Sequence, residues 1–143
     1  MRYEQETSAQ ITAAARIARE LGHSFVGTAH LLLALSDSGS WEGQLLRSFG
    51  AYPQLLRDLT AVCYGSGQSG LMMCQGFTPR AREILQGAAW EAWHMGSRQI
   101  ACLHMLLALT RLEDTTAGEL LRLCGVDAEE VFSLAVEYQM LGG

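Results

Sequence analysis

The chain has 143 residues, of which 49% are hydrophobic and only 17% charged, with two prolines. That length fits one compact domain with ample apolar material for a core, and the composition excludes a disordered tail or a coiled coil. The formal charge of −5 and pI near 5.3 speak against nucleic acid as a partner. A phosphate-binding surface needs clustered Lys and Arg, and the ten basic residues here are scattered.

Helical periodicity runs through the chain, and alternating strand patterns are nearly absent. Ile11, Ala14, Ala15, Ala18 and Leu21 make one stripe, with Gly22 as the stop. Thr28 is placed to cap a second helix carrying Leu31, Leu32 and Leu35. Gly39 and Ser40 precede a short third helix with Leu45, Leu46 and Phe49, stopped by Gly50. Pro53 opens a fourth, with Leu55, Leu56, Leu59, Val62 and Cys63 on its stripe.

The stretch "GSGQSG", residues 65–70, has linker composition and is followed by the apolar "LMMC", residues 71–74. Methionines there suit adaptable peptide binding, but burial across a seam is the favoured reading. Thr78 and Pro79 form a strong start signal for a fifth helix bearing Ala81, Ile84, Leu85, Ala88, Ala89 and Ala92. Trp90 and Trp93 share a face of that helix and are expected in the core or at a seam, with Glu91 and Arg98 solvated. A sixth helix holds Leu106, Leu107 and Leu109. A seventh holds Leu120, Leu121 and Leu123 before Gly125. An eighth opens at Asp127 and Glu130 in capping-box spacing.

The two halves register at an offset of 74 residues: Tyr3 with Phe77, Gly22 with Gly96, His30 with His104, Leu35 with Leu109. One residue is inserted before Leu120–Arg122, which then matches Leu45–Arg47. The chain therefore reads as an all-α domain of two tandem four-helix repeats around a pseudo-two-fold axis: repeat one 1–64, linker 65–76, repeat two 77–140. Each unit alone is small for a stable core, so the copies are expected to pack on each other.

No apolar run approaches the ~18 residues that span a bilayer, and the first residues lack a signal-peptide layout. No membrane partner and a cytoplasmic location are expected. Cys63, Cys74, Cys102 and Cys124 show neither a CxxC pair nor metal-ligand spacing, so they read as buried or semi-buried thiols with no metal site. His30 and His104 sit in the first turns of matching helices. With no local nucleophile or carboxylate motif beside them, they read as packing histidines rather than catalytic ones. No catalytic constellation and no cofactor site is expected.

"LGHSFVGTAHLLLAL" (residues 21–35), "FTPRA" (77–81), and "LLRSFGA" (45–51) matched by "LLRLCGV" (120–126) resemble the double Clp repeat. This is the N-terminal domain of Clp/Hsp100 AAA+ unfoldases, closest to the ClpC type. The resemblance covers nearly the whole chain, and the second copy, "SRQIACLHMLLAL", has drifted. It implies an eight-helix domain seated on a hexameric ATPase ring and, through it, on a ClpP-type protease. Such a domain receives adaptor proteins and unfolding substrates and is not itself catalytic. No phosphate-cradling glycine loop ending in Lys and Ser/Thr occurs in the chain. The ending "YQMLGG" reads as the start of a linker, which favours a domain of a longer unfoldase. The alternative is a stand-alone Clp-repeat protein that binds a peptide or small ligand in the inter-repeat groove and regulates proteolysis.

The resemblance also marks positions. Where ClpC-type domains carry a Glu that pairs with the guanidinium of phosphoarginine, this chain has Ala29 and Leu103. Neither side chain accepts a charge-assisted hydrogen bond, so phosphoarginine reading is expected to be lost. In the family the starts of the first and fifth helices border a ligand and partner surface. That points to Tyr3, Ile11, Phe77, Arg82 and Gln86 as the docking residues, with a hydrophobic staple as the competing role of the two aromatics.

Overall fold

The computed structural model describes residues 1–67 and 76–142, so the "LMMC" stretch lies outside the described residues. The order is β1 (Arg2–Tyr3), α1 (Gln5–Glu20), α2 (Thr28–Ser36), α3 (Trp41–Ser48), α4 (Pro53–Tyr64), α5 (Pro79–His94), β2 (Gln99–Ile100), α6 (Cys102–Arg111), α7 (Thr116–Leu123) and α8 (Ala128–Met140). Most starts follow from local side-chain chemistry. Ser40, Thr78 and Thr115 accept the N–H of the residue three further on, each at 3.1 Å, and Asp127 accepts from Glu129 and Glu130. The second helix departs from expectation. Gly27 is its cap and Thr28 its first helical residue, because His30 serves the cap's N–H and the Thr28 hydroxyl is used across the seam.

The core is built on α2 and α6. Every residue of α2 is buried, and so is α6 from Cys102 to Thr110. A helix apolar all round belongs in the centre of a fold. α2 packs on α1, α3, α4, α5 and α7, α6 packs on α3, α5, α7 and α8, and the two touch each other. The repeats are therefore interlocked rather than stacked.

The short strands, which lack any sequence signal, carry that interlocking. β1 pairs in parallel with β2, Tyr3 opposite Ile100, and an isolated parallel bridge joins Val26 to Phe77. Under the 74-residue offset these are the same contact made twice. Glu4 N–H donates to the Ile100 carbonyl, and Thr78 N–H to the Val26 carbonyl, both at 2.9 Å. Tyr3 and Phe77 thus precede their helices, and each leading segment bonds to the loop before the central helix of the other repeat. Two-residue strands are too short to show alternation, and their partners are distant in sequence.

Three burial expectations are corrected. Trp90 and Trp93 are 49% and 70% exposed. The buried stripe of α5 is Ala81, Ile84, Ala88, Glu91 and Ala92, whose three alanines let α6 approach closely. Trp90 stacks on His94 outside it. Glu91 is only 3% exposed and pairs with Arg111 at 2.7 Å. Val62 is 82% exposed and Cys63 is exposed too, since α4 buries only Leu56 and Thr60. Periodicity shows which residues share a face, and the packing partner decides which face turns inward.

Candidate functional site

The first turn of α2 floors a cleft of about 400 Å³. Gly27, Thr28, Ala29 and His30 form its base, Thr78 and Arg80 enter from α5, and Asp114, Thr115 and Thr116 from the approach to α7. Thr60 and Tyr64 of α4, with His23 and Phe25, close the remaining wall. The Thr28 hydroxyl meets that of Thr116 at 2.7 Å and accepts the Ala117 N–H at 3.0 Å, tying α2 to the start of α7. Arg80 is held by Glu83 and Asp114.

His30 Nδ1 accepts the Gly27 N–H at 2.8 Å, its Nε2 lies 2.8 Å from His23 Nδ1, and His23 Nε2 lies 2.7 Å from the Gly65 carbonyl. Burial, with His23 beside it, pulls the His30 pKa down to about 4. The imidazole is neutral at ordinary pH and does structural work at the helix start.

The offset copies this cleft into the other repeat. A space of about 340 Å³ is floored by Ala101, Cys102, Leu103 and His104 and walled by Ser97, Tyr138 and Gln139. Glu4 and Glu6 enter from the start of α1, and Ser40, Trp41 and Glu42 from the start of α3. His104 Nδ1 accepts the Ala101 N–H at 2.8 Å, repeating the cap, and burial lowers its pKa as well. Trp41 stacks flat on Tyr138, with ring centres 3.7 Å apart. Burial pushes the Cys102 thiol up to about 12, and Thr7 donates to its sulfur at 3.7 Å. It is a packing group, not a nucleophile.

A third, shallower cleft lies at the seam beside β1. Tyr3, Arg82 and Gln86 line it together with Met1, Leu85, Ala89 and Ile100. Three of the five residues expected to dock partners are thus brought together. Ile11 and Phe77 are not among its lining; they occupy the offset equivalents of Leu85 and Tyr3. Ala29 and Leu103 are both buried, on the floors of the first and second clefts.

The sequence reading missed His23, Thr28 with Thr116, and the carboxylates Glu4, Glu6 and Glu42 as cleft residues. The spacing of His23 before His30 was visible, but nothing in it showed that the rings meet. The carboxylates come from segments that only the fold assembles. Among the described residues no group of three His, Cys, Asp or Glu side chains could hold a metal ion. No helix among them is long and apolar enough to cross a membrane.

Comparison with known proteins fits this architecture. The chain is 31% identical over 142 residues to an "ATP-dependent Clp protease ATP-binding subunit ClpA homolog" of Porphyra purpurea, covering 99% of this chain and 17% of that protein. It is 31% identical over 131 residues to "Chaperone protein ClpC1, chloroplastic" of Arabidopsis thaliana, covering 91% of this chain and 14% of that one. The chain therefore spans about one sixth of the length of such relatives. Among solved structures, the N-terminal domain of ClpD from Arabidopsis thaliana matches with a TM-score of 0.81 at 22% identity, covering 96% of this chain and 97% of that one. The Hsp104 N-terminal domain of Candida albicans gives 0.78 at 15% identity, covering 97% and 92%. Residues 2–71 and 76–138 each match the family model of the Clp repeat (R) N-terminal domain, and the chain belongs to that family.

Proposed function

We propose that this domain is the receiving platform of a ClpC-like unfoldase. It docks adaptor proteins and unfolding substrates at the inter-repeat seam and leaves ATP hydrolysis to an AAA+ ring elsewhere in the parent protein. Delivery to a ClpP-type protease would follow from that ring. The observation that carries the reading is the seam cleft, where the half-buried Leu85 and Ala89 present apolar surface beside Tyr3, Arg82 and Gln86. An aromatic with adaptable polar neighbours on two interlocked elements is the usual anatomy of a protein-docking hot spot. Ile11 and Phe77, at the pseudo-equivalent position, form the proposed second half of the same surface. The free thiols of Cys63, Cys102 and Cys124 support a reducing compartment such as the cytoplasm, although several relatives carry chloroplastic names.

The test is binding of a labelled, permanently unfolded protein followed by fluorescence anisotropy, alongside a thermal melt of each variant. Tyr3→Ala is expected to weaken binding about thirtyfold, as truncating a buried aromatic anchor commonly costs about 2 kcal/mol. Normal melting with unchanged affinity in both Tyr3→Ala and Phe77→Ala would move the docking site elsewhere. A small ligand that competes at the seam, with no affinity for unfolded protein, would favour the stand-alone regulator.

A further inference from the structure

The second cleft holds a buried charge that the fold does not answer. Among the described residues two carboxylates are buried, Glu91 at 3% exposure and Glu42 at 8%. Glu91 has Arg111. Glu42 lines the cleft with no Lys or Arg beside it and takes part in none of the ion pairs among the described residues. The Ser40 hydroxyl next to it has its proton spent elsewhere. Ser38 donates to the Leu35 carbonyl at 2.8 Å, so the 2.6 Å contact between Ser38 and Ser40 takes the Ser40 proton. That leaves the Glu42 carboxylate only its own backbone N–H.

The duplication shows that packing does not require this carboxylate. Past the inserted residue the offset is 75, and the copy of Glu42 is Ala117, buried completely. The same offset sets Trp41 against Thr116 and Tyr138 against Cys63. An alanine fills the position in one repeat, whereas an unpaired carboxylate there costs stability in the other.

The surroundings select the sign and shape of what completes it. The half-buried Glu4 and the exposed Glu6 add two more carboxylates to the lining. Burial is the main reason the Cys102 thiol on the floor is pushed up to about 12, and the charges of Glu42, Glu6 and Glu4 add to it. Their fields therefore meet in one place. Trp41 and Tyr138, stacked with planes 7° apart, supply a flat aromatic wall, and a cation within ~6 Å of such a face is attracted to it. An anion would be repelled, and a neutral ligand would leave Glu42 buried without a partner. The carboxylates are not gathered as a metal site.

We propose that the second cleft binds an organic cation, an ammonium or guanidinium group seated on Glu42 and against the Trp41–Tyr138 wall, with Glu4 and Glu6 drawing it in. The space of about 340 Å³ has room for one basic side chain, such as a lysine or arginine of a delivered polypeptide. This site is separate from the seam cleft and does not rest on docking there.

The experiment is an NMR titration of the isotope-labelled full chain with end-blocked Gly-Ser peptides. Each carries one lysine or one arginine or, as neutral controls, one norleucine or one citrulline. The basic peptides should shift the Trp41 indole N–H and the Glu42 amide in a saturable way. The neutral ones should bind about tenfold more weakly or worse, the equivalent of one charge-assisted contact. Glu42→Gln keeps the shape and Glu42→Ala writes in the copy's residue, so neither is expected to unfold. Each should weaken the basic peptides about tenfold and leave the neutral ones unchanged. Spermidine is titrated alongside: tighter binding of the peptides assigns the cleft to a polypeptide side chain, tighter binding of spermidine to a free amine, and either upholds the cation site. Equal binding of charged and neutral peptides overturns it, as does undiminished affinity in both folded variants. Shifts confined to the seam cleft would overturn it as well, while leaving the docking reading in place.

Discussion

The two clefts occupy the same slot of a duplicated unit, yet they share little beyond their backbone. Both are floored by the first turn of a buried central helix, and both have a histidine accepting the cap N–H. Around that frame the side chains diverge. Thr78 and Arg80 stand in the first where Glu4 and Glu6 stand in the second, and Thr28 and Thr116 stand where Cys102 and Trp41 stand. The first is tied across the seam by hydroxyls, the second packed with an aromatic stack. Duplication kept what the fold needs, a capped central helix, and released what a ligand would see.

The largest expected effect sharpens this contrast at the turns before the clefts. Gly22 and Gly96 share a φ of +74°, in the left-handed region that glycine alone enters freely. A Cβ on Gly22 would sit 2.4 Å from the Gly67 backbone, whereas one on Gly96 meets nothing within 4 Å. Gly96→Ala should cost about 1 kcal/mol from the backbone alone, and Gly22→Ala about 3 kcal/mol or more. Urea unfolding of the two variants measures the gap. Equal costs would show that the chain leaving α4 yields easily.

Of similar size is the acid response of the first cleft. The His30 pKa is about 4 in the fold against 6.5 unfolded, so between those values the unfolded chain binds more protons. Stability from this group is whole above pH 6.5 and is lost as pH falls toward 4. The shift corresponds to about 3 kcal/mol. Relative to His30→Gln, the wild type should lose that much between neutral pH and the acid limit. A difference that stays flat across this window would break the assignment of His30 as the neutral, buried partner.

A smaller effect tests divergence in the core. Position 91 holds a buried Glu paired with Arg111, while its copy, Ile17, is apolar and buried. Arg111→Ala should cost about 2 kcal/mol, because it leaves a buried carboxylate without its partner. Adding Glu91→Ile should recover most of that loss, and thermal melts of the single and double variants decide it. The smallest effect concerns ligands. With Ala29 and Leu103 on the cleft floors, free phosphoarginine should give no saturable heat at micromolar concentrations in calorimetry. Ala29→Glu should restore binding only if Arg80 and the threonines of the first cleft can serve the phosphate.

Much of the fold was legible because its signals are local. Leucine runs marked α2 and α6, Thr78 with Pro79 marked the start of α5, and the glycine stops repeated at an offset of 74, becoming 75 after the inserted residue. Of the proposed docking residues, Tyr3, Arg82 and Gln86 line one cleft, with Ile11 and Phe77 at the equivalent positions of the other repeat. The Trp90 and Trp93 reading failed because i,i+3 spacing is silent on orientation. Glu91 was misplaced because its partner, Arg111, lies a helix away in sequence.

The sequence by itself determined the helix order, the duplication and the family, because propensity, capping and apolar periodicity act over a few residues and survive without knowledge of the partner. Only the tertiary structure decided that the repeats exchange their leading segments, Tyr3 to Ile100 and Phe77 to Val26. It alone brought His23 onto His30 and gave one cleft an arginine where its copy has a glutamate. Those outcomes depend on contacts between residues far apart in the chain, and such contacts form only where packing the two central helices brings the segments together.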